Sequence, residues 1–364
     1  MLLHYGTEMS KYSDTTLNTV LCNFEVSQKQ YTFKPLTDGY INDTFLVLDN
    51  DLSAYILQRV NHQVFKDMKG LMRNIDKALK QLDAPDYQKI TLIKTIHGKK
   101  YFEDQEGYWR LMTFIDHSTA YNTTTDPKIA FEAGRIIGLF HVLLKDVKIN
   151  DYIEPIPRFH DLDLRSEQFN RSLQTANSDK LHVSKDMILF AEDVLGKLSE
   201  LTQKKLPLRI CHNDTKLNNI LFTKKENKAL CLIDLDTLMK GHFYYDFGDA
   251  IRTIANTALE DEQDHSKITF DKDLFTAFVD GLVSVGPFLS QEEIDTVHLG
   301  AVFMPFIHGL RALTDYLNDN IYYKVAYENQ NLDRCRSLFD FTQKALLNLD
   351  YMKRTAAEKL TSAS

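Results

Sequence analysis

Residues 209 to 222 read R-I-C-H-N-D-T-K-L-N-N-I-L-F, and residues 232 to 236 read L-I-D-L-D. An apolar run delivers His212, Asp214 follows two residues later, Asn219 comes five residues after Asp214, and Asp234 arrives on a second apolar run twenty residues after Asp214. These residue types at these intervals point to phosphoryl transfer. That chemistry needs a carboxylate to orient an acceptor hydroxyl and take its proton, and it needs oxygen ligands to hold a magnesium ion against a triphosphate. A loop after one strand presents Asp214 to the acceptor and Asn219 to the metal, while the next hairpin strand brings Asp234 to the same ion. Lys216, two residues past the base, reaches the transferring phosphate as a point charge. The expected cofactors are therefore ATP and Mg2+. A plain polar loop followed by a hairpin is the alternative, and the apolar runs flanking both segments argue against it.

Such a site needs two scaffolds, one for the loop and one for the nucleotide. Ser13 caps an expected helix over 14 to 28 that carries Leu17, Val20, Leu21 and Phe24 at helical spacing. Three β-rich runs follow, Tyr31 to Pro35, Thr44 to Leu48 and Ser53 to Val60, separated by a turn containing Gly39 and by Asp49-Asn50-Asp51. Met68, Leu71, Met72, Ile75, Leu79 and Leu82 define a second amphipathic helix. His97-Gly98 predicts a hairpin between Thr91 to Ile96 and Lys99 to Phe102. Tyr108 to Ile115 is a further strand, in which Trp109 is expected to pack. The polar stretch from Ile115 to Thr119 marks a hinge whose backbone reads the adenine edge. Beyond Pro127 the spacing is helical, first in the run A-G-R-I-I-G-L-F-H, whose His141 is expected to be a hydrogen-bonded structural histidine. Further helices are predicted near 161 to 176, 184 to 201, 243 to 258, 272 to 284, 291 to 318 and 329 to 349, with a fraying tail after Lys353.

The composition excludes several alternatives. A chain of 364 residues suggests two domains, and 43% hydrophobic with 26% charged residues describes an ordinary soluble protein. No apolar run nears the roughly 20 residues that cross a bilayer. The start M-L-L-H-Y-G-T-E-M-S-K has no basic segment followed by an apolar one, so a cytoplasmic location is expected. A net charge of −8 argues against nucleic acid as a partner. Neither a membrane nor an obligate protein partner is expected. Cys22, Cys211, Cys231 and Cys335 lie far apart and form no C-x-x-C pair, so they are expected to be free thiols.

The loop H-N-D-T-K-L-N-N, the strand I-D-L-D and the following Y-Y-D-F-G-D-A-I-R resemble the aminoglycoside phosphotransferase and choline kinase superfamily. Within it, G-Y-I-N-D-T-F, Y-I-L-Q-R-V-N and G-L-R-A-L-T-D-Y-L are most similar to bacterial N-acetylhexosamine 1-kinases. The resemblance implies an α+β, two-lobed, protein-kinase-like fold. Its nucleotide lobe spans 1–116, with a small antiparallel sheet and one packed helix, and its helical lobe spans 117–364. It implies nucleotide contacts at Gly39, Asn42, Thr44 and Arg59, with Arg59 standing where kinases carry a strand lysine. Substrate contacts are implied at Asp214, Tyr40, Arg311 and Tyr322. His212 and Asp246 are implied as supports of the loop, so the D-F-G at 246 to 248 is a decoy and Asp234 is the metal ligand. Residues 67 to 82 contain no glutamate to hold a strand cation, and Asp76 is the substitute candidate. Asp236 either assists the metal or meets solvent. Arg311 and Asp315, four apart and sharing a face with His308, also admit a plain salt bridge.

The function expected is transfer of the ATP γ-phosphate to the anomeric hydroxyl of N-acetylglucosamine or N-acetylgalactosamine, a small-molecule sugar substrate. A rival reading takes an amino alcohol or aminoglycoside as acceptor. A third is a weakly active nucleotide-binding protein.

Overall fold

The computed structural model describes residues 12–36, 41–202 and 204–361, without the side chains of 199–202. The chain divides into two compact units, Met1–Asp83 with Lys89–His117, and Ala84–Gln88 with Ser118–Ser364. The first holds an antiparallel sheet and the second is mainly helical, a kinase-like arrangement of elements.

In the first unit, helix α1 (Asp14–Leu21) is shorter than its spacing predicts, and its N-cap Ser13 accepts from Thr16 N. Strands β1 (Thr32–Leu36), β2 (Asp43–Asp49) and β3 (Leu52–Val60) form a meander. Asn50 and Asp51 both take positive φ, 47° and 65°, as a tight hairpin turn requires. Helix α2 (Met68–Gln81) buries Leu71, Met72, Ile75 and Leu79. The short strands β4 (Leu92–Ile93) and β5 (Phe102–Asp104) each pair with β6 (Gly107–Thr113) and not with one another. The hairpin expected around His97-Gly98 is thus reduced to a turn, in which Thr95 N donates to Lys99 O at 2.7 Å. α1 covers one face of this sheet: Leu17, Val20, Leu21 and Phe24 pack with Phe45, Val47, Leu57, Trp109 and Leu111. Trp109 is fully buried, and its Nε1 donates to Asp104 Oδ1 at 3.1 Å.

The second unit contains β7 (Ser118–Thr119), then α3 (Pro127–Leu143), α4 (Leu162–Thr175), α5 (Ser178–Val183) and α6 (Lys185–Thr202). Strands β8 (Arg209–Cys211), β9 (Ile220–Thr223), β10 (Ala229–Leu232) and β11 (Met239–Gly241) follow. α7 (Phe243–Ile254), α8 (Lys272–Val283), α9 (Gln291–Ile294), α10 (Val297–Leu317), α11 (Gln330–Leu347) and α12 (Leu349–Thr361) complete it. β9 pairs with β10 and β7, and β11 pairs with β8. α10 is the hub, packing on α7, α11 and α4. Its approach to α7 is so close that a Cβ on Gly248 would sit 2.0 Å from Gly300 O, and one on Gly300 would sit 2.2 Å from Tyr244 O. α12 corrects the expected fraying tail. Met352, Ala356 and Leu360 fall four apart on one buried stripe, and the helix packs against α8. Among the described residues no helix is long and apolar enough to cross a membrane.

Candidate active site

β8 and β11 deliver the loop that begins at His212, and one carboxylate braces it. Asp246 opens the first turn of α7 and is fully buried. Its Oδ2 accepts from His212 N at 2.9 Å, its Oδ1 accepts from Asn213 N at 2.7 Å, and His141 Nε2 lies 2.9 Å from Oδ2. Thr215 Oγ1 donates back to Asp246 O at 2.6 Å. The loop turns through Asn213 at φ 62°, whose Nδ2 donates to Cys211 O, Thr237 O and Met239 O. Burial, with the Asp246 charge beside it, pushes the Cys211 thiol well above its ordinary pKa. His141, Cys211 and Asp246 are near enough to suggest a metal cluster. The Asp246 oxygens are spent on N–H donors, however, and a thiol held protonated is a poor ligand.

The loop brings Asp214, Lys216 and Asn219 together. Lys216 Nζ lies 3.2 Å from Asp214 Oδ2, and Asn219 Nδ2 donates to Asp214 O and Oδ2 at 2.8 Å each. Burial alone would lower the Lys216 pKa, but the carboxylates of Asp214, Asp234 and Asp249 outweigh it and hold the ammonium above its ordinary value. Asp234 is drawn in by its neighbour Ile233. Ile233 N donates to Asn219 O at 2.9 Å, and His212 Nε2 meets Ile233 O at 2.8 Å. Asp234 itself is left-handed at φ 59°. Asp236, two residues on, is buried and not solvent-facing. An amide and carboxylates clustered near one cation form the oxygen donor set that Mg2+ takes, so these residues fit the expected ion.

A second group of charges adjoins the loop, and sequence reasoning missed most of it. Arg252 donates through Nε and Nη2 to Asp249 Oδ1 at 2.9 and 2.7 Å, and through Nη1 to Glu260 Oε2 at 2.9 Å. Arg334 also grips Glu260. His308 Nε2 lies 3.4 Å from Asp249 Oδ1, and its ring centroid is 6.2 Å from that of His160. His160 Nε2 is 3.0 Å from Asn213 O, next to Asp214. Burial would raise the Asp249 pKa, yet Arg252 holds it below the usual carboxylate range. Burial lowers His308 to about 4 and His160 to about 3, helped respectively by Arg252 and by His308, so both rings are neutral. Arg165, lowered to about 10 by burial and by Arg311, stays charged. Arg311 is set among the rings of Phe159 at 5.2 Å and Tyr322 and Tyr323 at 5.9 Å each. Asp315 forms no pair with it. Asp315 accepts instead from Tyr322 N, Tyr323 N and Asn331 Nδ2, fixing the loop that presents the exposed Tyr322. The one signal in the sequence was an acid and a base three apart, Asp249 and Arg252, on a helix otherwise apolar through Phe247, Ala250, Ile251 and Ile254.

In the first unit, Asn42 Oδ1 accepts from Asn61 N at 3.0 Å, and Thr44 Oγ1 accepts from Gln58 Nε2 at 3.0 Å. Arg59, expected at the nucleotide, makes its contacts here within the sheet. Its side chain lies on the α1-covered face, where Nη1 pairs with Asp43 Oδ2 at 3.0 Å and Nε donates to Glu106 O at 2.7 Å. These contacts make it a fastener of the sheet. Asp76 does not pair with it but meets Lys80 at 2.8 Å and Lys100 at 3.8 Å. Gly39 and Tyr40 lie outside the described residues.

An antiparallel sheet unit, a helical unit and a loop joining Asp214, Lys216 and Asn219 are the arrangement of a kinase-like phosphotransferase. Residues 32–277 match the phosphotransferase enzyme family, and the chain belongs to it. The fold is similar to that of a spectinomycin phosphotransferase in complex with ADP and spectinomycin, at TM-score 0.63 and 13% identity over 92% of this chain and 98% of that one. It is also similar to an amicoumacin kinase in complex with AMP-PNP and Ca2+, at 0.58 and 16% over 91% and 93%. A choline kinase from Cryptosporidium parvum Iowa II matches at 0.55 and 15% over 96% and 97%.

Proposed function

We propose that this phosphotransferase uses ATP and Mg2+ to phosphorylate the anomeric hydroxyl of an N-acetylhexosamine, giving the sugar 1-phosphate. The observation that carries the acceptor class is the hydrogen-bonding character of the group beside Asp214. The guanidinium groups of Arg165, Arg252, Arg311 and Arg334 and the ammonium of Lys216 are matched by the carboxylates of Asp214, Asp234, Asp249, Glu260 and Asp315, with both histidines neutral, so no excess of charge selects a cation there. His160 Nε2 faces a carbonyl and so carries the ring hydrogen, leaving Nδ1 a bare lone pair. His160 Nδ1, His308 Nδ1 and Asp249 Oδ2 are buried acceptors without partners among the described residues, and hydroxyl donors complement them.

Asp214 orients the acceptor hydroxyl and takes its proton as the oxygen attacks. Lys216, kept protonated by its carboxylate neighbours, balances the charge on the phosphoryl group. Asn219 and Asp234 would hold Mg2+, which neutralises the triphosphate. ADP and AMP-PNP in two of the similar structures, the second with Ca2+, support a nucleotide donor. The test is an ADP-formation screen with MgATP over N-acetylglucosamine, N-acetylgalactosamine, glucose, galactose, choline and kanamycin, with 31P NMR of the product. Turnover of the acetamido sugars to an anomeric phosphate is expected. Turnover of choline or kanamycin with every sugar inert overturns the reading.

A further inference from the structure

Asp315 stands buried in the last turn of α10, four residues after Arg311. An acid and a base at this helical spacing ordinarily close into a salt bridge. Here the carboxylate turns the other way. Its Oδ1 accepts from Tyr322 N at 2.8 Å and its Oδ2 from Tyr323 N at 2.9 Å, and Asn331 Nδ2 adds a third bond, to Oδ2, at 2.9 Å. Asn331 also donates to Asn320 Oδ1 at 2.9 Å, and Asn320 N donates to Asp315 O at 2.8 Å. The chain reaches these contacts by turning left-handed at two successive residues, Asp319 at φ 63° and Asn320 at φ 56°, the residue types that bear this backbone best after glycine. Two tyrosines are thereby set at 88° to one another with ring centroids 4.8 Å apart. Each ring lies 5.9 Å from the Arg311 guanidinium, and the Tyr323 ring is also 4.7 Å from that of Arg334.

We propose that Asp315 is a positioning residue for the acceptor, bracing the turn from 318 to 323 so that Tyr322 and Tyr323 wall the Arg311 guanidinium. This deepens, and rests on, the reading of Arg311 and Tyr322 as acceptor contacts. One carboxylate does two things here. By serving backbone N–H groups it leaves the half-buried Arg311 with no carboxylate partner among the described residues, and it fixes the rings beside that guanidinium. An unbraced turn would have to be ordered each time an acceptor bound, and that cost would be subtracted from affinity. The effect falls on acceptor binding and not on the chemical step, because the loop of Asp214 is held separately, by Asp246.

Steady-state kinetics of the full chain test the assignment, with MgATP and whichever acceptor of the screen the unaltered protein turns over. In Asp315→Asn one oxygen becomes an NH2 that faces an N–H donor, so part of the brace is lost. Acceptor KM should rise about 10- to 100-fold, the range for losing a hydrogen bond to a charged group, with kcat within about threefold and the KM for ATP unchanged. Tyr322→Ala removes a ring that is 61% exposed and should also raise acceptor KM. If Asp315 acts through that ring, the double variant should fall well short of the product of the two single effects. Should Asp315→Asn not fold, Asn331→Ala is read in its place, alone and with Tyr322→Ala. It removes one bond to Oδ2 but keeps both backbone contacts, and about a two- to fivefold rise in acceptor KM alone is expected. An unchanged acceptor KM in the folded variants, a fall in kcat as large as the rise in KM, or effects that multiply in the double variant overturn the assignment and leave the acceptor class standing. An unaltered protein that turns over no acceptor of the screen removes the acceptor reading with it.

Discussion

Asp246 and Asp234 flank the same loop, and the same substitution should have opposite consequences at the two positions. Asp246 is fully buried and takes three hydrogen bonds, from His212 N, Asn213 N and the His141 ring. Hydrogen bonds to a charged group contribute about 1.5–3 kcal/mol each. In Asp246→Asn one oxygen becomes an NH2 that faces a donor, so at least one bond is lost and a donor–donor contact replaces it. A cost of about 3 kcal/mol follows, since strain relief recovers part of the gross loss. For a unit of this size, about 1 kcal/mol moves the melting midpoint by roughly 2–4 °C, so Asp246→Asn should melt about 6–12 °C lower. Asp234→Asn removes a like charge from beside Asp214 and should melt no lower than about 2 °C below the parent while losing Mg2+-dependent turnover. Differential scanning calorimetry with ADP-formation kinetics reads both. An Asp246→Asn variant melting within 2 °C of the parent would refute the bracing role, and a folded Asp234→Asn variant with full turnover would refute the metal assignment.

Asp214→Asn should lower kcat by about 10² to 10⁴ and leave binding of N-acetylglucosamine and of a non-hydrolysable ATP analogue intact, because the amide keeps the shape but cannot take the proton; kcat within threefold of the parent would remove Asp214 as the base. His308 titrates near 6.5 when unfolded but near 4 when folded, so below pH 6.5 the unfolded chain binds the proton first. Its contribution is complete above pH 6.5, falls as pH drops toward 4, and amounts to about 2 kcal/mol lost by pH 5. Urea titrations at pH 7 and pH 5 should show that loss, and His308→Gln should shrink it; an equal pH dependence in the variant would show that the ring does not titrate as described.

The loop was readable because the chemistry proposed for it is local: Asp214, Lys216 and Asn219 lie within six residues of one another, and one apolar strand on each side fixes their presentation. Asp246 needed the resemblance, since nothing in a D-F-G tripeptide says that its carboxylate faces two backbone N–H groups more than thirty residues earlier. Boundaries failed where tertiary packing overrode the local pattern. The last helix runs on to Thr361 because Met352, Ala356 and Leu360 find α8, a partner that composition alone does not reveal. The expected hairpin at 97 to 98 lost its ladder because β6 takes up both β4 and β5 as partners.

Most of the charged group beside the loop was illegible for a different reason, although the resemblance had pointed to Arg311. His160, Asp249, Arg252, Glu260 and Arg334 span most of the second unit in sequence, and each has an unremarkable local setting. What joins them is the crossing of α7 and α10, made possible by Gly248 and Gly300, which have no side chain at the contact. That crossing sets His308 of α10 against Asp249 of α7, and Arg252 holds Asp249 ionised and helps to keep His308 neutral. The place of Arg59 follows from the two-residue period of a strand. A one-residue step reverses the face, so a cation at the end of β3 is either a nucleotide contact or a fastener depending on which face a helix covers. Alternation in the sequence gives the two faces, but only the packing of α1 says which of them is closed, and with that face goes Arg59.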